Sequence, residues 1–214
     1  MLIHGAGDAG WYWHLVEREL RRRGHDTLAP DLPCDDDSAG LSEYAGTVVQ
    51  AIGGRRGLVV AAQSFAGFTA PLVAARVPVD MLVLVAGMIP APGEAPGDWP
   101  ASTGFDEVMA QQQQRYPGGD LVYQDVPPAL AQQARRNARH QSDTPGRAPW
   151  PLDAWPAVAT RFVLCTQDRF FPPEFMRRVV AGRLGVVPDE IAAGHAVALS
   201  RPRELAALLV RYLP

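Results

Sequence analysis

Short apolar runs alternate with amphipathic segments along most of this chain of 214 residues. The runs at 58–62, 81–86 and 161–165 have the length and aliphatic content of buried strands, whereas 11–23 and 41–52 place apolar residues at helical spacing. Strands that alternate with helices form βαβ units, because parallel strands need a crossover connection. The sequence therefore predicts an α/β fold: a mostly parallel sheet with helices on both faces.

The remaining predicted elements complete this pattern. Strands are expected at 1–4, 25–33, 58–62, 81–86, 161–165 and 187–191, and helices at 11–23, 41–52, 65–76, 105–116, 128–140, 175–184 and 203–213. Ser42 and Ser200 are the expected N-caps of the second and last helices. The stretch 88–155 is rich in proline, glycine and glutamine and shows no strong strand pattern. We therefore expect a single domain, with residues 1–87 and 156–214 as its core and 88–155 as a small helical lid.

Composition excludes several classes of function. The net charge of −3 gives no electrostatic reason to bind nucleic acid or an anionic membrane, and no apolar run is long enough to span one. The chain contains no lysine, which excludes Schiff-base, pyridoxal-phosphate and Walker-A chemistry. Cys34 and Cys165 form neither a disulfide framework nor a metal-site pattern. No signal-peptide pattern is present, so a reduced, cytoplasmic protein without metal is expected.

A serine stands where a strand pattern meets a helix pattern. The segment 61–68, Ala-Ala-Gln-Ser-Phe-Ala-Gly-Phe, follows an apolar run. Ala62 and Ala66 place small residues two positions before and after Ser64, as the tight turn of a nucleophile elbow requires, although glycine is usual at both. In that geometry Ser64 presents its hydroxyl above the sheet, and the N–H of Phe65 points at the reacting carbonyl.

Two more reactive residues follow predicted strands. The carboxyl ends of parallel strands meet at one edge of a sheet, where open α/β sheets bind their ligands. Asp168 and His195 both follow such strand ends, so they are expected to meet Ser64 there. His195 would take the serine proton, and Asp168 would orient the imidazole. The glycine-rich loop after the first strand would supply the N–H of Ala6 as an oxyanion donor beside that of Phe65.

Each of these residues also has an ordinary structural explanation. Ser64 could cap a helix, Asp168 could shape a turn, and His195 could sit in an exposed loop. The loop at 5–10 could be a weak nucleotide-binding turn, but it lacks the GxGxxG spacing and an acidic partner. The joint occurrence of all four features at strand ends favours catalysis over the separate structural explanations.

Several motifs together resemble the α/β-hydrolase fold over essentially the full chain. His-Gly-Ala-Gly-Asp-Ala-Gly-Trp-Tyr-Trp at 4–13 is similar to the opening motif of the plant methylesterase and hydroxynitrile lyase branch and its bacterial relatives. Gln-Ser-Phe-Ala-Gly at 63–67 and Gln-Asp-Arg-Phe-Phe-Pro at 167–172 strengthen the match. By this resemblance, the triad and oxyanion-hole positions are Ser64, Asp168, His195, Ala6 and Phe65.

Three departures limit the resemblance. Alanines replace both glycines of the elbow, and Gln63 stands where histidine is common. Ala196 follows the candidate histidine, where hydroxynitrile lyases of this branch use lysine, so a cyanohydrin-cleaving mechanism of that type is not expected. Only three residues precede His4, so the first strand is expected to be short.

The sequence thus predicts a serine hydrolase that cleaves a small carboxylic ester without cofactor or metal. Trp11, Phe65, Tyr123 and Phe170 are expected to form an apolar substrate pocket. Two alternatives stay open at this point: a non-catalytic protein of the same fold that binds a small molecule, and a cofactor-free C–C hydrolase or perhydrolase with the same triad. The identity of the ester and the choice between monomer and homo-oligomer are also open.

Overall fold

Five parallel strands form one sheet in this computed structural model, which describes residues 1–213. The strands are β1 (Leu2–Ile3), β2 (Val59–Gln63), β3 (Met81–Val85), β4 (Ala159–Cys165) and β5 (Asp189–Ile191). They lie side by side in chain order, and every neighbouring pair is parallel. The expected α/β class with a parallel sheet is confirmed.

Helices connect and follow these strands. They are α1 (His14–Arg21), α2 (Leu41–Ile52), α3 (Ala70–Ala74), α4 (Trp99–Thr103), α5 (Phe105–Arg115), α6 (Pro128–Asn137), α7 (Thr144–Arg147), α8 (Pro173–Arg183), α9 (Val197–Ser200) and α10 (Pro202–Arg211). Short 3-10 turns at Gly10–Trp13 and Ser64–Gly67 replace the first turns of two predicted helices. Within residues 1–213, every helix is too short or too polar to span a bilayer.

The sheet is buried on both faces. Side chains along a strand point alternately to opposite faces, so Leu82 and Leu84 of β3 pack with α2, α3 and α8, whereas Val83 and Val85 pack with α1, α9 and α10. Both sets are fully buried, which explains why the strands read as continuous apolar runs rather than alternating ones. The helices on both faces confirm the layered fold.

The predicted strand at 25–33 is wrong, because this segment forms no strand. The N–H of Leu2 donates to the carbonyl of Leu28 at 2.8 Å, but β1 is only two residues long and offers little edge for pairing. Pro30 and Pro33 have no N–H to give to a ladder, and the N–H of Leu32 donates instead to the His4 ring at 2.9 Å. One backbone bond to Leu2 and one bond to the His4 ring therefore hold the segment.

Both predicted serine caps are also wrong. Gly40 is the N-cap of α2, and its N–H donates to the Glu43 carboxylate at 2.9 Å, while Ser42 lies inside the first turn. Arg201 precedes α10, whose start at Pro202 is favoured by the fixed φ of proline at the first helical position. Ser200 instead ends α9.

The segment between β3 and β4 holds α4 to α7 and a 3-10 turn at Pro96–Asp98, and no strand. Trp99 of α4 is buried against Phe171 and Phe175, at ring distances of 5.6 and 5.8 Å, and Arg183 of α8 pairs with Glu94 at 2.5 Å. These contacts hold the segment against α8 and the residues that precede it. The division into a core of residues 1–87 and 156–214 and a lid of residues 88–155 remains a prediction.

Candidate active site

The predicted reactive residues gather at the carboxyl edge of the sheet. Ser64 directly follows β2, Asp168 comes three residues after β4, and His195 comes four residues after β5. All three are nearly buried, with exposed fractions of 9% for Ser64 and 4% for each of the other two. Strand order therefore brings together side chains that are up to 131 residues apart in the chain.

The turn at Ser64 has the strained backbone of a nucleophile elbow. Ser64 has φ +53°, a left-handed conformation that is uncommon outside glycine. The alanines at 62 and 66 are fully buried, so the turn accommodates their methyl groups. Gly67 is the position that cannot carry a side chain, because a Cβ there would lie 1.8 Å from the carbonyl oxygen of Met88. Gly67 is therefore the position of this elbow at which a side chain does not fit.

A continuous hydrogen-bond chain links the three residues. His195 Nε2 lies 3.2 Å from Ser64 Oγ, and His195 Nδ1 lies 2.8 Å from Asp168 Oδ2. The other carboxylate oxygen, Oδ1, accepts the N–H groups of Phe170 and Phe171, each at 2.8 Å. Because an ionised carboxylate only accepts hydrogen bonds, Nδ1 must carry the proton, which leaves Nε2 as an acceptor within reach of the serine hydroxyl.

The side chain of Gln63 also contacts His195, and the sequence did not predict this contact. Its side-chain nitrogen lies 3.1 Å from His195 Nε2, and the side chain is buried. Gly5 makes room for this amide, since a Cβ at Gly5 would lie 2.3 Å from Gln63 Oε1. The only sequence signal was its place next to Ser64, where the related family commonly has histidine.

His4 orders the loop that carries Ala6. His4 Nδ1 donates to the carbonyl of Gly5 at 2.8 Å, and Nε2 accepts the N–H of Leu32 at 2.9 Å. Burial lowers the pKa of His4 to about 4, so the ring is neutral and can keep both bonds at neutral pH. The N–H of Ala6 has no acceptor within residues 1–213, so it is free for a ligand.

A cavity of about 150 Å³ opens at the serine. Its lining residues are Ala6, Asp8, Tyr12, Gln63, Ser64, Val122, Tyr123, Phe170, His195 and Ala196. Two larger cavities, of about 380 and 420 Å³, do not include the serine, although Asp168 contributes to the lining of the second. The chemistry, rather than cavity size, therefore identifies the site. In the described part of the chain, no three side chains are grouped as metal ligands.

Two of the four expected pocket residues, Tyr123 and Phe170, line this cavity. The other two do not. Trp11 lies in the 3-10 turn at Gly10–Trp13 and stacks on His14, the first residue of α1, at a ring distance of 4.4 Å. The Phe65 ring packs on Phe68 at 5.6 Å, so only the backbone of Phe65 stays a candidate for the site.

Asp8 brings an unexpected charge to the cavity. Burial raises the pKa of its carboxyl to about 6, the Ala9 N–H opposes that shift, and nearby Asp31 adds to it. The pKa of Tyr123 is raised to about 12, chiefly by burial and then by the charge of Asp8. The only sequence signal for this placement of Asp8 was its position in the loop that was expected to hold the oxyanion.

Comparison with known proteins places nearly the full length of the chain in a known family. The model of the alpha/beta hydrolase family matches residues 1–208. A curated relative, norfluorocurarine synthase 1 from Strychnos sp, is 24% identical over 243 aligned positions, which cover 96% of this chain and 91% of the relative.

Solved structures show the same fold at lower identity. Polyneuridine aldehyde esterase superposes with a TM-score of 0.82 at 20% identity, covering 98% of this chain and 96% of the other. An extracellular alpha/beta-hydrolase from a Paenibacillus species, described as similar in structure and function to tobacco salicylic acid binding protein 2, gives 0.79 at 20% identity with the same coverage. A pyrethroid hydrolase from Sphingobium faniae gives 0.73 at 21%, covering 99% and 95%.

Proposed function

This chain belongs to the alpha/beta hydrolase family, and on that premise we propose that it is a serine hydrolase that cleaves small carboxylic esters. The observation that carries the proposal is the unbroken chain from Ser64 Oγ through His195 to Asp168, with separations of 3.2 and 2.8 Å. A serine hydroxyl is a weak nucleophile, and a neutral imidazole beside it provides the base that it needs.

The proposed reaction follows from the hydrogen-bond directions. As Ser64 Oγ bonds to the ester carbonyl carbon, its proton passes to His195 Nε2, and Asp168 stabilises the resulting imidazolium through Nδ1. The N–H groups of Ala6 and Phe65 are the proposed donors to the oxygen that becomes negative. Collapse of this intermediate breaks the ester C–O bond, and the alcohol leaves with the proton held on His195.

Water completes the cycle. His195 takes a proton from a water molecule, whose oxygen attacks the acyl carbon, and the same proton then returns to Ser64 Oγ as the acid is released. No cofactor or metal takes part in these steps. The strained φ of +53° at Ser64 supports the assignment, because backbone strain persists where the surroundings impose it and clusters at functional sites.

Cavity size suggests which esters are accepted. A volume of about 150 Å³ is below the range of about 300–1,000 Å³ for sites that bind drug-sized ligands. We therefore expect short acyl groups to be preferred over long ones.

A panel of p-nitrophenyl esters tests the proposal. The acetate and butyrate should be hydrolysed with higher kcat/KM than the octanoate, and Ser64→Ala should abolish turnover of all three. Ser200→Ala is the matched control: it removes a buried hydroxyl without a hydrogen-bond partner, away from the cavity, and should leave the rates unchanged. Equal rates for wild type and Ser64→Ala would refute the proposal. A folded protein that binds these esters without turnover would instead be a binding protein.

A further inference from the structure

Asp8 is an acidic side chain that the proposed reaction does not use. It lies on the loop after β1 and lines the same cavity as Ser64 and His195. One carboxylate oxygen, Oδ1, accepts the N–H of Ala9 at 2.8 Å. No salt bridge within residues 1–213 includes Asp8. The cavity thus contains a partly buried carboxylate whose charge no protein cation neutralises.

The groups around Asp8 reinforce its negative charge. Tyr12 and Tyr123 are neutral phenols whose pKa values are raised by burial, with the charge of Asp8 adding to both shifts. Asp31, on the neighbouring loop, is a second carboxylate close enough to raise the pKa of Asp8. His195 lines the cavity as well, but its proton on Nδ1 is committed to Asp168. No arginine lines the cavity.

Aromatic rings form the walls next to this carboxylate. Tyr12, Tyr123 and Phe170 all line the cavity. The face of an aromatic ring attracts a cation, and several rings around a carboxylate form the type of pocket that recognises ammonium groups. Arg135 already lies over the Tyr123 ring, 5.2 Å from its centroid, but Arg135 is outside the cavity lining and pairs with Asp120.

An unpaired carboxylate in a partly buried site lowers the stability of the folded state, and such costs are characteristic of functional positions. A bound cation would offset this cost, whereas a bound carboxylate would increase it by like-charge repulsion. We propose that Asp8, Tyr12, Tyr123 and Phe170 form a cation subsite that binds a small ammonium group of the substrate. That the ammonium group belongs to an ester rests on the function proposed above, whereas the binding of the cation does not.

Choline and its uncharged isostere 3,3-dimethylbutan-1-ol test the subsite, because they differ in charge and hardly in shape. Calorimetric titration at pH 7.5 should show choline binding wild type at least about tenfold more tightly than the isostere. Asp8→Asn should bring the ratio close to one. Asp37→Asn is the matched control: it makes the same charge change on an exposed residue outside the cavity and should keep the wild-type ratio.

Wild type alone provides a second readout in case Asp8→Asn does not fold. The preference for choline should decrease as pH falls through about 6, where Asp8 becomes protonated. Of the groups that face Asp8, Tyr12 and Tyr123 stay neutral in this range. The contributions of Asp31 and His195 are separated by repeating the titration on Asp31→Asn and His195→Gln, which should still lose the preference near this pH.

Hydrolysis of acetylcholine and 3,3-dimethylbutyl acetate then separates this inference from the proposed function. A choline preference without hydrolysis of either ester would refute the hydrolase and leave the cation subsite standing. Hydrolysis of both esters with equal binding of choline and its isostere would overturn the subsite and leave the hydrolase standing. Failure of wild type to bind choline more tightly than the isostere, with or without hydrolysis, overturns the subsite.

Discussion

Asp168→Asn should remove most of the catalysis without unfolding the protein, because the two carboxylate oxygens make different bonds. Oδ1 accepts the backbone N–H groups of Phe170 and Phe171, both at 2.8 Å, and Oδ2 accepts Nδ1–H of His195, also at 2.8 Å. An asparagine keeps the two backbone bonds only if its carbonyl oxygen takes the Oδ1 position. Its NH₂ group then points at His195 Nδ1.

That exchange reverses the histidine tautomer. Facing a donor, Nδ1 must give up its proton and accept, so the proton moves to Nε2, which lies 3.2 Å from Ser64 Oγ. A protonated Nε2 cannot take the serine proton. In a serine protease the same replacement lowers kcat by about 10⁴-fold through the same reversal, which corresponds to about 5 kcal/mol in the activation barrier. We expect a similar loss here.

The assay is kcat/KM for p-nitrophenyl acetate, measured beside the free energy of unfolding in urea. Because the backbone bonds of residue 168 persist, the unfolding free energy should change by less than about 1.5 kcal/mol. Asp125→Asn is the matched control: Asp125, in the segment between β3 and β4, accepts the N–H of Gly194 at 2.8 Å but is outside the hydrogen-bond chain, and its replacement should leave the rate nearly unchanged. A folded Asp168→Asn protein with more than about a tenth of wild-type activity would refute this reasoning.

Two predictions concern stability. Gly67→Ala should lower the free energy of unfolding in urea by about 2–4 kcal/mol, because its Cβ would lie 1.8 Å from the Met88 oxygen and displace the Met88 N–H that donates to Ser64 at 2.9 Å. Ala66→Gly, which removes a tolerated methyl group, should cost only about 1–2 kcal/mol, and equal losses would contradict the close contact. Since the pKa of His4 falls from 6.5 to about 4 on folding, unfolded His4 takes up a proton first as the pH decreases. Stability should therefore fall between pH 6.5 and 4, by about 3 kcal/mol relative to a His4→Gln variant; parallel pH profiles of the two proteins would contradict this.

Much of the fold was predictable because the signals were local. The central strands β2, β3 and β4 are apolar runs bounded by turns, and their buried faces follow directly from that pattern. The segment at 25–33 shows the limit of this reasoning. Its composition fits a strand, but pairing depends on the length of β1, and the N–H of Leu32 is taken by His4.

The candidate site was also only partly predictable from the sequence. Ser64, Asp168 and His195 were identifiable because each follows a strand, and parallel strand ends meet in space. The direction of a side chain was not identifiable. Trp11 packs on His14 and does not line the cavity, whereas Asp8, three residues before it in the chain, does. These directions are set by the 3-10 turn and by tertiary packing, which neither periodicity nor spacing encodes.

Covalent labelling with a fluorophosphonate probe tests the central claim most directly, because only an activated serine reacts. Intact-mass spectrometry of folded wild type should show one added group, and peptide mapping should place it on Ser64. His195→Ala should react far more slowly, because its serine lacks a base. A folded wild-type protein that stays unlabelled, or carries the label on another residue, would contradict the assignment of Ser64 as the nucleophile.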